Sequence, residues 1–230
     1  MKKLLLVATL LGFSIHLAHA QVTLLDWSFS GTSGDQVTDT ADTFGTNISN
    51  TGPSGVLSRG SGINAATNNG RFNANSWTQP DIASALANND YFTFSVAPNS
   101  GFSMTLTSIV FDMQRSTTGP TSFTLFSSVD GFTIGNDEGT LALPGETNND
   151  LTFNLGSEFE NLTGSVEFRF YGYGNGASQT TGSAGFEGPG VDLELLGTTA
   201  VVPEPSTYAL IFGGVALGFV VWRKKRKTAT

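Results

Sequence analysis

The 230-residue chain contains no cysteine, and its two histidines, His16 and His19, both fall within the first twenty residues. Lysine is missing from residues 21–200, and the only cations there are Arg59, Arg71, Arg115 and Arg169. Each absence removes a chemistry. Without cysteine there are no disulfides, so an exported fold must be held by core burial alone. Without His, Cys or Lys the body cannot assemble a Ser-His-Asp or Cys-His nucleophile, a zinc site with nitrogen or sulfur ligands, a P-loop or a Schiff base. Carboxylate chemistry, as in a glycosidase pair, and a metal held by oxygen alone remain open. Residues 21–200 hold eighteen of the nineteen acids, so their formal charge is 4 minus 18, or -14. That field repels phosphate backbones and excludes nucleic acid as a partner.

What is present is clearest at the two ends. Met1-Lys2-Lys3, the apolar run Leu4 to Leu17 and the small-x-small site Ala18-His19-Ala20 form a secretory signal peptide over 1–20. Signal peptidase is the implied partner, and the mature chain starts at Gln21. The competing reading, an uncleaved first helix, is weakened by the short apolar run and the good cleavage site. At the other end, Pro203-Glu204-Pro205 precedes an uncharged run over 206–222, and Arg223-Lys224-Lys225-Arg226-Lys227 follows it. Seventeen residues lie at the short end of the roughly 17 to 25 that a transmembrane helix needs. Trp222 sits where an interfacial aromatic belongs, and the cations mark the cytoplasmic side, which places the body outside.

Val202-Pro203-Glu204-Pro205-Ser206, an apolar run interrupted by Gly213, Gly214 and Gly218, and Trp222 to Lys227 together resemble the PEP-CTERM sorting signal of Gram-negative surface proteins. Those bacteria make exopolysaccharide. The resemblance spans 201–227. It implies that a membrane-embedded cysteine protease of the exosortase type recognises the tail, cleaves close to Pro-Glu-Pro and releases or transfers the ectodomain. Pro203, Glu204, Pro205, Arg223, Lys224, Lys225 and Arg226 are then recognition residues without a catalytic role. A plain single-pass anchor is the alternative, and Gly214-x-x-x-Gly218 also fits a helix-dimerising face.

Residues 21–200 suffice for one domain with a sizeable core. Their periodicity is that of strands. Val166, Phe168 and Phe170 alternate with Glu167 and Arg169; Phe123 and Leu125 alternate with Thr124 and Phe126; Ile109, Phe111 and Met113 share a phase opposite to Leu106 and Val110. Further strands are expected at 23–29, 71–77, 91–96, 151–155 and 191–196, and one or two helical turns at 80–88 near Asp81. Gly31 to Asn69 and Gly172 to Gly190 read as loops. The expectation is all-β: a single jelly-roll-like antiparallel β-sandwich ectodomain, flanked by the signal peptide and one C-terminal transmembrane helix. Gly119 to Phe132, ending in Ser128-Val129-Asp130-Gly131, with Val166 to Tyr173 and Val191 to Leu195, is similar to segments of galactose-binding-like and discoidin-type sandwiches.

Trp77, Tyr171 and Tyr173, with Trp27 and Tyr91, are the aromatics able to stack on a sugar face; packing in the core is the plainer role for each. Asp35, Asp39 and Asp42 lie close enough in sequence to supply calcium with oxygen ligands, although solvated acidic loops are the plainer account of them. Asp137-Glu138 is a second acidic pair. Arg115 and Arg169 read as surface partners for these acids. No cofactor beyond calcium is implied. The expected function is that of an exported, non-catalytic cell-surface or matrix protein that passes through the inner membrane and associates with exopolysaccharide. The alternatives are a secreted carbohydrate-active enzyme working through two carboxylates, and a structural coat component.

Overall fold

A computed structural model describes residues 21–174, 181–187, 191–203 and 212–219. The expected signal peptide, with Ala18 and Ala20, lies outside the described residues, as do Glu204, Pro205 and Arg223 to Arg226. The strands in chain order are β1 (Val22–Trp27), β2 (Asp39–Thr40), β3 (Thr43–Phe44), β4 (Val56–Arg59), β5 (Asn64–Ala65), β6 (Phe72–Asn75), β7 (Tyr91–Val96), β8 (Phe102–Arg115), β9 (Ser122–Ser127), β10 (Gly139–Ala142), β11 (Thr147–Asn154), β12 (Val166–Tyr173), β13 (Ser183–Phe186) and β14 (Leu193–Val201). One helix, α1 (Ile82–Asn88), precedes β7.

The strands form two antiparallel sheets. One runs β3-β1-β14-β8-β13-β6-β5, with β11 on the other edge of β8; the second runs β10-β9-β12-β7-β4-β2. From β6 onward the chain crosses repeatedly between them: β7, β9 and β12 lie in the six-stranded sheet, and β8, β11 and β13 in the other. The 14-residue β8 is the spine of the larger sheet. Its Phe111 pairs with Leu193 of β14 on one side and Leu151 of β11 on the other, so its middle is covered at both edges.

Alternation in the strands dictates the core. In β7, Phe92, Phe94 and Val96 point inward between half-buried Tyr91, Thr93 and Ser95. The same pattern holds Val166, Phe168 and Phe170 of β12 against them. The two sheets meet through aromatics: Trp27 on Phe94 at 5.0 Å, Phe92 on Phe186 at 5.1 Å, and Phe111 edge-on to Phe170 at 5.6 Å. Tilted and edge-to-face ring pairs add directional attraction to area burial. This aromatic core does the work that disulfides do in many exported domains.

The phase expected for β8 is corrected by a bulge. Leu196 pairs with Ser108 but Gly197 pairs with Leu106, so Thr107 is an extra residue in β8. The insertion shifts the side-chain phase by one, and Leu106 joins Ile109 and Phe111 in the core instead of facing away with Val110. The long stretches read as loops also contain pairing: 31–69 carries β2 to β5, and 172–190 carries β13. These strands are two to four residues long, too short to produce a readable alternation.

The α1 helix sits where expected. Asp81 is its N-cap, its carboxylate accepting the Ser84 amide at 2.8 Å, and Asn89 closes the helix in the left-handed region at φ 61°. The helix covers the outer face of the six-stranded sheet, packing Ala85 with Phe126 and Tyr171 in a small second cluster.

Candidate functional site

The outer face of the six-stranded sheet carries the richest array of side chains. Register brings Ser58, Thr93 and Arg169 into one row and Ser95 and Glu167 into the next. Beside these rows the 51–56 segment, which is joined to β7 by the Gly55 amide donating to the Ser95 carbonyl at 2.8 Å, borders an open groove of about 350 Å³, lined by Gly52, Pro53, Val56, Ser58, Thr93, Phe94, Ser95 and Glu167. The groove's one carboxylate is fixed in place. Glu167 Oε1 accepts from Arg169 Nε at 2.7 Å and from Thr93 Oγ1 at 3.1 Å. The guanidinium of Arg169 in turn lies over Tyr91 at 4.8 Å and over Phe132 at 3.8 Å, a cation-π contact on each ring. Phe132 follows Gly131 in the β9–β10 loop, and both adopt positive φ, 66° and 54°. A phenylalanine there is strained, and stacking on Arg169 helps hold it.

All four arginines of the body are engaged. Arg59 donates from Nη2 and Nε to the Asn73 carbonyl, from Nη1 to Gln36 and from Nη2 to Gly34, while its guanidinium stacks 3.7 Å from the Phe72 centroid. Burial lowers its pKa to about 10, and it stays charged at neutral pH. Arg115 donates to the carbonyls of Leu143, Gly145 and Ser116. It is therefore a loop clamp and not the partner for acids expected from sequence. Arg71 pairs with Glu187 and bonds Gln114 Oε1.

Burial raises the pKa of Asp26 and Asp39, and two further acids are shifted more strongly toward their neutral form. Burial, with Asp130 hydrogen-bonded beside it and Glu158 nearby, pushes Glu138 up to about 8, and Ser127 opposes this only in part. Ser127 Oγ donates to Asp130 Oδ2 at 2.8 Å. Asp90 is fully buried, and neither of its carboxylate oxygens closes a hydrogen bond. Burial pushes it up to about 6 against the lowering influence of the Thr78 backbone and the Gln79 side chain. Gly62 packs on it so tightly that a Cβ there would lie 2.0 Å from Asp90 Oδ1.

The third feature is the exit of the chain. β14 is paired on both sides, with β1 and with β8. It ends at Val201, which is 68% exposed and pairs with Phe102 at the start of β8; Val202 donates to the Gly101 carbonyl at 2.8 Å, and Pro203 is exposed. The chain thus leaves an interior strand and reaches its Pro-Glu-Pro element within two residues. Residues 201–227 match the family model described as the PEP-CTERM protein-sorting motif. The chain ends in a PEP-CTERM motif. Such a motif directs export and cell-surface sorting through exosortase, a membrane protease. No curated protein matches the chain.

Of the motif's recognition residues, Pro203 is described, and Glu204, Pro205 and the basic cluster are not. The expected membrane segment 206–222 is described only over 212–219, which is helical and exposed. No helix among the described residues is long and apolar enough to cross a membrane. Gln21, the expected mature N-terminus, is exposed, and its side-chain amide donates to Ser108 Oγ at 3.0 Å.

The structure disperses the aromatic and calcium candidates. Trp77 is 0% exposed: it packs edge-on to Phe92 and Phe123, and its indole donates to the Ala74 carbonyl at 3.0 Å. Gly172 makes that possible, because a Cβ there would lie 2.6 Å from the indole ring. Tyr171 is 1% exposed beneath α1, and Trp27 is in the main core. A ring without surface cannot stack on a sugar, so these three have the packing role that is the plainer one from sequence. Tyr173 is half-buried, with its hydroxyl in hydrogen-bond contact with Thr124 Oγ1 at 3.1 Å. Asp35 accepts from Ser33 and Thr67, Asp39 from Gln36, and Asp42 from the Ser28 amide. Each carboxylate has its own donor, and among the described residues no three acids converge on a site for a metal. The groove residues Ser58, Thr93 and Ser95 were not legible as a site, because only strand register places them side by side.

Proposed function

We propose that the protein is an exported, non-catalytic cell-surface or matrix component, tethered in the inner membrane by the 206–222 segment until exosortase processes the tail, and associated with exopolysaccharide once outside. The observation that carries this reading is the PEP-CTERM motif joined within two residues to the last strand of a folded, acidic sandwich. The crossing of successive strands between the two sheets suits a jelly-roll-like description. A non-catalytic role is favoured by the body's lack of His, Cys and Lys and by the placement of its carboxylates. The groove holds one, Glu167. Glu138, held toward its neutral form by burial and by Asp130 beside it, does not line the groove, so Glu167 has no second carboxylate there to work with.

The test is to incubate the processed protein, purified from the medium, with the exopolysaccharide of its own cells. Co-sedimentation without new reducing ends is expected. The appearance of new reducing ends identifies the carbohydrate-active enzyme instead, and self-assembly without glycan retention identifies a structural coat.

A further inference from the structure

Building on the proposed association with exopolysaccharide, we infer that the groove beside β7 is the glycan subsite, and that its ligand is an uncharged polysaccharide, not an acidic one. The groove sets aliphatic surface beside several placed polar groups, a combination able to hold a sugar. Pro53 and Val56 in its lining present aliphatic surface for the C–H face of a pyranose, while Ser58, Thr93, Ser95 and Glu167 contribute polar groups. Its volume of about 350 Å³ falls within the range of small-molecule sites, ~300 to 1,000 Å³.

The polar groups are set before any ligand arrives. Ser58 and Thr93 are direct cross-strand partners, and so are Ser95 and Glu167. Neighbouring strands are ~4.8 Å apart and alternate residues of one strand ~6.8 Å apart, so the four side chains define a fixed grid on one rigid face. Thr93 and Arg169 both bond Glu167 Oε1, which leaves Oε2 without a protein donor among the described residues. A carboxylate held by two partners accepts a sugar hydroxyl without first paying rotamer entropy, and a bond to a charged acceptor is stronger than a neutral one.

Charge decides the class of glycan. No cation lines the groove. Arg169, the nearest, is enclosed between two rings and paired with Glu167, and Arg59, Arg71 and Arg115 are tied to carbonyls, Glu187 and Gln114. A uronate or phosphate on the sugar would meet Glu167 inside a body of charge -14, with no counter-charge to offset desolvation. A hydroxyl meets only acceptors and donors it can satisfy.

The processed protein, run by affinity electrophoresis through gels containing dextran or galactomannan as neutral probes and polygalacturonate as the anionic one, tests this. Retardation by a neutral polymer and none by polygalacturonate, unchanged by EDTA, is expected. Glu167→Gln should weaken the neutral interaction about tenfold, because a neutral amide acceptor replaces a charged carboxylate in the bond to the sugar hydroxyl. Ser58→Trp, which fills the groove from a half-buried strand position whose side chain lines it, should abolish it with the thermal midpoint retained. Stronger retardation by polygalacturonate than by either neutral polymer overturns the inference. So does undiminished retention of the Ser58→Trp protein on the cells' own exopolysaccharide; that result leaves the association itself standing, whereas wild-type protein that is not retained there removes the association.

Discussion

The body and the tail of this protein encode their roles in opposite ways. The tail works by order: Pro-Glu-Pro, an uncharged run and five cations in succession, readable without any fold. The body works by juxtaposition, since Ser58, Thr93 and Glu167 lie far apart in sequence and meet only through the pairing of β4, β7 and β12. They also divide the charge, five cations in the tail against a body of -14. Sorting should therefore survive many changes to the body, and body stability should be indifferent to the tail.

The largest effect is expected from the tail. Replacing Arg223 to Lys227 by serine should eliminate the processed extracellular form, because the cations proposed to orient the tail in the membrane are gone. The thermal midpoint of the body should not move. A shift in that midpoint would break the proposed independence.

Next comes the core. Trp77→Ala should destabilise the body by about 3 to 5 kcal/mol, as large-to-small aromatic changes do, and Gly172→Ala should be comparably harmful because its new Cβ has no room beside the indole. Denaturant midpoints measure both, and the surviving folded fraction should still be processed normally. A smaller loss is expected for Arg59→Met. It leaves the carbonyls of Gly34, Gln36 and Asn73 without that donor, at a cost of about 2 kcal/mol. Limited proteolysis should then open the 31–39 segment first.

The smallest effect is a pH dependence. Glu138 and Asp90 both have folded pKa values raised above their ordinary ones, to about 8 and about 6. In the window between the unfolded and folded values the folded state binds more protons, so their contribution is present at low pH and is lost as pH rises. The thermal midpoint should therefore fall between pH 5 and pH 8 on account of these two groups. Glu138→Gln should flatten the upper half of that slope and Asp90→Asn the lower half. A slope unchanged in the double variant would contradict the assignment.

Much of the fold was legible because the strands with a solvated or half-solvated face keep period two: Tyr91 to Val96 is a strand at the expected limits, and Glu167 and Arg169 face outward as expected. Reading failed where backbone geometry intervened. The extra residue Thr107 moved Leu106 to the core side, and glycine at 172 admitted Trp77 to an interior that its polar neighbours Asn75 and Gln79 did not announce. The arginines show the same limit. Charge counting pairs Arg115 with an acid, but three carbonyls of neighbouring turns lie within its reach.

The central claim is that the tail is a processed sorting signal and not a permanent anchor. Mass spectrometry of the extracellular protein's C-terminus tests it directly. A terminus close to Pro203, Glu204 or Pro205 with the basic cluster removed is the predicted result. An extracellular protein still carrying Lys227, or a protein confined to membranes with its tail whole, would contradict it.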